Sequence, residues 1–144
     1  MALERHPQPR IGSVPALVAA FITVAVAGLY VTIIASQGDF GDEPGLVIFV
    51  TLYLVVTAAF AFSSSVARDP AMRVIRLGAA TGGLFAIGIL AAFSVGLPLI
   101  AAGAMSAFAW VRTSDPAIPK KARRLAAVLA LSAPVVLVAG IALA

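Results

Sequence analysis

LGAATGGLFAIGILAAFSVGLPLIAAGAMSAFAWV, residues 77–111, contains no charged side chain. As one helix these thirty-five residues would be about 52 Å long at 1.5 Å per residue, too long for a single crossing of a hydrocarbon core of roughly 30 Å. In the middle stands Val95-Gly96-Leu97-Pro98, and glycine followed closely by proline ends one helix and starts another. The stretch therefore reads as two membrane segments joined in a hairpin.

Composition agrees with a membrane setting. The chain has 144 residues, 62% apolar and 11% charged, whereas soluble domains carry about a quarter of charged residues. The absence of cysteine excludes disulfides, thiol nucleophiles and Cys-ligated zinc or iron–sulfur centres. The net charge of +4 and pI near 10.4 are read as membrane topology rather than nucleic-acid binding. Arginine outnumbers lysine in an Ala/Val/Gly-rich chain, which points to a GC-rich bacterial genome and so to the inner membrane.

Outward from the hairpin, residues 1–12 read as a polar cytoplasmic tail and 13–144 as a single transmembrane bundle. Its five spans are expected at about 14–36, 46–66, 74–95, 97–111 and 125–144. The first is too long for a signal-peptide core and lacks an A-x-A ending, so it reads as uncleaved. Ser13 suits its N-cap and Pro15 its first turn. Asp39, Asp42 and Glu43 lie in a glycine-rich loop after span one. Asp69-Pro70 reads as N-cap and first helical residue ahead of span three. The fourth span is short, and tilting or a re-entrant path are both compatible with its length.

All ten basic residues, Arg5, Arg10, Arg68, Arg73, Arg76, Arg112, Lys120, Lys121, Arg123 and Arg124, then fall on one side of the membrane, with the acidic loop on the other. The positive-inside rule makes that side the cytoplasm, giving N-terminus inside and C-terminus outside. Asp69-Pro70-Ala71 ahead of span three resembles Asp115-Pro116-Ala117 ahead of span five, so spans two and three could be repeated as four and five.

Small residues recur every fourth position: Gly78, Gly82 and Ala86 in one row, Gly88, Ala92 and Gly96 in another, Gly103 and Ala107 in span four. Such rows let helix backbones approach closely, and they are the expected helix-packing or partner-contact residues. Pro134 in span five withdraws an amide donor from the Ala130 carbonyl and predicts a kink. Tyr30 and Trp110 read as interface anchors. Tyr53 lies deeper and needs a hydrogen-bond partner within the bundle.

Little in the spans suggests chemistry. They hold no Asp, Glu, Lys, Arg or His, the groups that mark proton relays and ion-coupled carriers. His6 lies in the tail and cannot supply paired haem ligands. The hydroxyls of Thr23, Thr32, Thr51, Thr57, Thr81, Ser94, Ser106 and Ser132 lack an activating base. No catalytic residue, cofactor or metal site is expected; Asp39, Asp42 and Glu43 lack the ligand count of a cation loop. Lys120, Lys121, Arg123 and Arg124 could meet anionic lipid headgroups at the cytoplasmic surface.

The expected role is a small non-catalytic subunit, or an assembly or stabilising factor, within a larger membrane protein complex. The alternative is a small carrier or pore for an uncharged or lipid-like solute, acting as a homo-oligomer, with a cavity lined by Thr51, Tyr53, Thr57, Thr81 and Ser106.

Overall fold

The computed structural model describes residues 13–37, 44–92, 96–114 and 116–144. The tail with His6, the loop with Asp39, Asp42 and Glu43, and also Ser94, Val95 and Asp115 lie outside the described residues. The described residues form five helices: α1 (Ser13–Gln37), α2 (Pro44–Val66), α3 (Pro70–Leu90), α4 (Gly96–Thr113) and α5 (Lys120–Leu143).

Four of them, α1, α2, α3 and α5, are long and apolar enough to cross a membrane. The protein is all-helical, and these four helices suggest a membrane protein. Large apolar side chains stand exposed on them, with Phe21 77% and Leu131 76% accessible, a density of exposed apolar surface that water-soluble monomers avoid. α4 is not among the four. Its eighteen residues extend about 27 Å, and Pro98 and Arg112 lower its apolarity.

The helix ends follow local chemistry. Asp69 caps α3 as its sequence predicts: the residue sits outside the helix at φ −83°, ψ 119°, and its Oδ1 accepts from the Ala71 amide at 2.9 Å. The helix therefore begins at Pro70, four residues before the expected boundary, and carries Arg73 and Arg76 in its first turns. α3 closes at Leu90, short of Val95, where the Ala91 amide donates back to the Ile87 carbonyl. α5 starts at Lys120, after Pro119 and without a side-chain cap. Charge marks where an apolar segment ends but does not interrupt a helix, so the basic residues 120–124 are helical. Asp115-Pro116 thus does not open α5 as Asp69-Pro70 opens α3.

α1 packs on α2 and α4, and α3 packs on the same two, closing a ring of four helices; α5 lies outside the ring on α3 and touches α2 lightly. Neighbours α2 and α3 run in opposite directions, with Thr57 beside Gly83 and Ser63 beside Arg76. α3 and α4 are likewise opposed, pairing Gly88 with Ile100, Leu84 with Gly103 and Thr81 with Ser106. By contrast α3 and α5 run in the same direction, pairing Gly78 with Ala126 and Gly82 with Ala130.

α3 is the central element, with ten buried residues against three on α5. The largest cluster joins Val26, Leu54, Leu84, Ile87, Leu99 and Leu137 from all five helices. A second, of Val74, Ile118, Ala122 and Ala126 with Trp110 against it, gathers the start of α3, the end of α4 and the start of α5 at one end of the bundle.

Candidate functional site

The small residues of α3 are divided among three neighbours. Gly78 and Gly82 face α5: a Cβ on Gly78 would lie 2.6 Å from the Ala126 carbonyl oxygen, and one on Gly82 would overlap the Ala130 backbone. The Ala130 carbonyl is the one that Pro134 deprives of its amide partner, and it is pressed against the one side of α3 where no side chain intervenes. Close Cα–H contacts to such carbonyls recur at helix interfaces. Pro134 itself stays exposed.

The remaining predicted contact residues have separate places. Ala86 is buried in the main cluster. Gly88 meets Ile100 of α4. Ala92 lies in the turn after α3 and Gly96 opens α4, so Gly88, Ala92 and Gly96 do not form a row on one helix. Instead Gly96 folds back on Gly88, and its amide donates to the Ala91 carbonyl at 2.7 Å. A Cβ on Gly103 would lie 3.4 Å from Leu84 and Phe85, ordinary contact distance, and Ala107 is half-buried on α4. Three further close approaches lie outside the spacing argument: Gly45 of α2 meets the Ala144 backbone, Gly83 seats Thr57 of α2, and Gly140 of α5 seats the Phe49 ring. Gly83 breaks the four-residue period, but its pairing with Gly82 was a visible sign of a second contact face.

Apart from Thr51, the hydroxyls expected to line a solute path are engaged by carbonyls or by another hydroxyl. Thr23 donates to the Ala19 carbonyl at 2.7 Å, Thr57 to Tyr53 at 2.8 Å and Ser64 to Ala61 at 2.6 Å. Thr81 donates to Ser106 Oγ at 3.0 Å, stitching α3 to α4. Tyr53 finds the partner its depth required in the Ala133 carbonyl of α5, at 3.2 Å. Thr51 Oγ1 is buried without a partner. None of Thr51, Tyr53, Thr57, Thr81 and Ser106 lines either of the two clefts described below.

The first cleft, about 670 Å³, runs between α1 and α2 and is apolar, with Leu17, Phe21, Val24, Val55 and Phe62 along it. The second, about 560 Å³, lies between α4 and α5 and is bordered by Trp110, Val111, Ser114, Arg123, Arg124 and Ala127.

The basic residues, equivalent in the sequence, are not equivalent in the fold. Arg76 Nη1 donates to the Ser63 carbonyl and Arg73 Nη2 to the Ala67 carbonyl, each at 3.0 Å, so both satisfy orphan carbonyls at the end of α2. Arg112 stacks over the Phe108 ring at 4.9 Å. Lys120, Lys121, Arg123 and Arg124 are exposed. They occupy the first turns of α5, where a cation opposes the helix dipole, so helix stability is not what places them there. Asp69 is the only acidic side chain among the described residues, and the α3 cap engages it.

No family model, curated protein or solved structure matches this chain.

Proposed function

We propose that this chain is a small, non-catalytic integral membrane subunit or assembly factor that stands against larger membrane proteins in a bacterial inner membrane. In this reading all five helices cross, with α3 and α4 as a there-and-back hairpin, the N-terminus inside and the C-terminus outside. α4 belongs among the spans because it completes the ring between α1 and α3, and a segment walled by two long apolar helices need not be strongly apolar itself. The alternating directions of α2, α3 and α4 bring the Arg68–Arg76 and Arg112–Arg124 segments to the same end of the bundle, as the positive-inside rule requires.

The observation that carries the functional reading is how the interior polar groups are used. Apart from Thr51 Oγ1, buried hydroxyls bond to carbonyls of their own helix or to one another, and the tightest glycine contacts face other helices of the same chain. What remains for function is the apolar exterior. Solubilisation of native membranes in mild detergent tests this: the tagged 14.6 kDa chain is expected to migrate in a heavier assembly of fixed stoichiometry with another integral membrane protein. Migration as a lone monomer would contradict the proposal.

A further inference from the structure

We infer that the cleft between α4 and α5 is a binding site for one anionic phospholipid. This inference rests on the proposed placement of that end of the bundle at the cytoplasmic membrane surface. The cleft follows from the packing. α4 and α5 are consecutive, yet both lean on α3 and scarcely on each other, so a groove opens between them over α3. At its rim stand Arg123 and Arg124, beside Trp110 and Ser114, and its wall is Val111 and Ala127.

Three features select the occupant. The guanidinium groups of Arg123 and Arg124 form no hydrogen bond or ion pair with any described residue, unlike those of Arg73 and Arg76, which are held by backbone carbonyls. Two arginines on the border of one cleft suit a phosphate diester, which can accept from both guanidinium groups. Beyond the rim the lining turns apolar at Val111 and Ala127, and Val128 and Leu131, one and two turns on from Arg124 along α5, stand exposed, apolar surface for an acyl chain that a free inorganic anion would leave unused. The Trp110 indole N–H, also without a partner among the described residues, suits the glycerol-ester level at which tryptophan sits in membranes. Ser114 already donates to the Trp110 carbonyl at 2.8 Å and so shapes the rim rather than binding. Lys120 and Lys121 do not border the cleft, which narrows the basic cluster to two ligating residues.

Trp110 is the single tryptophan and lines the cleft, so it reports occupancy directly. The protein is reconstituted in phosphatidylcholine vesicles containing a minor fraction of brominated lipid, either phosphatidylglycerol or phosphatidylcholine, and Trp110 quenching is compared. About 1 kcal/mol per surface arginine corresponds to roughly five-fold, so brominated phosphatidylglycerol should be preferred by about ten-fold or more. In Arg123→Gln/Arg124→Gln the preference should collapse to near parity, while Lys120→Gln/Lys121→Gln should retain most of it. Arg123→Lys/Arg124→Lys keeps the charge without the fork and should fall between. Equal quenching by both lipids in the wild type would overturn the site without recourse to any variant. Equal losses in the arginine and lysine pairs would also overturn it, by showing a diffuse charge effect. Relief of quenching by millimolar inorganic phosphate would show a free-anion site instead. Failure of the protein to insert into vesicles would refute the membrane placement, a result distinct from insertion without lipid preference.

Discussion

Adding one methyl group at Gly82 should loosen α5 from the bundle. On Gly82 the new Cβ would occupy the space of the Ala130 backbone, and on Gly78 it would lie 2.6 Å from the Ala126 oxygen, where ordinary contact begins at 3.4 Å. α5 would therefore have to withdraw by about 0.8 Å at Gly78 and further at Gly82. The obstacle is backbone, so no rotamer change can absorb it. A gap of that size forfeits roughly a quarter to a half of each dispersion contact along the seam, and overpacking of this kind costs about 1–3 kcal/mol. Alanine recovers up to about 1 kcal/mol of helix propensity, leaving an expected net loss of about 1–2 kcal/mol for Gly82→Ala and less for Gly78→Ala. The double variant should lose less than the sum, because one withdrawal relieves both overlaps. Gly28→Ala is the internal control: a Cβ there meets nothing within 4 Å, so this variant should be neutral or gain up to about 1 kcal/mol. Reversible unfolding by sodium dodecyl sulfate in mixed micelles, followed by Trp110 fluorescence, measures all four. Equal stabilities for Gly82→Ala and Gly28→Ala would refute the close α3–α5 seam.

Other substitutions separate the contacts further. Tyr53→Phe removes the hydrogen bond to the Ala133 carbonyl and should cost about 0.5–1 kcal/mol in the same titration, membrane-embedded bonds averaging near 0.6. Asp69→Ala leaves the Ala71 amide without its cap and should cost about 1 kcal/mol, while Asp69→Asn should retain most of that stability. Gly103→Ala should be tolerated within about 0.5 kcal/mol, because its neighbours Leu84 and Phe85 already stand at ordinary contact distance.

The existence of the helices was legible because apolar length alone demands them, and Asp69-Pro70 carried its own capping chemistry. Their ends were harder to read. Residues 120–124 fall outside the span expected at about 125–144 because charge ends an apolar segment, yet Lys and Arg are good helix formers and α5 begins at Lys120. The glycine rows mark where helix backbones can approach closely, and α3, which carries Gly78, Gly82 and Gly88, is the helix with ten buried residues. Which neighbour each glycine receives was not legible, since that depends on α5 passing over α4 to pack on α3. One sign was present: Ala126 and Ala130 repeat the four-residue spacing of Gly78 and Gly82, and two matching small-residue rows suit a parallel pair. The two arginines at the cleft are not distinguishable from the other basic residues by sequence, because only the fold shows that Arg73 and Arg76 are engaged by carbonyls while Arg123 and Arg124 border a cleft.

Absence of cysteine makes the central claim, a five-span membrane bundle with both basic segments on one side, directly measurable. Single cysteines at Met72, Leu97 and Pro116, all exposed, are labelled in intact cells with a membrane-impermeant maleimide. The account predicts that Leu97→Cys is labelled from outside, and that Met72→Cys and Pro116→Cys react only after the membrane is opened. Labelling of Met72→Cys and Pro116→Cys from opposite sides would show that α4 does not cross, and would contradict the account.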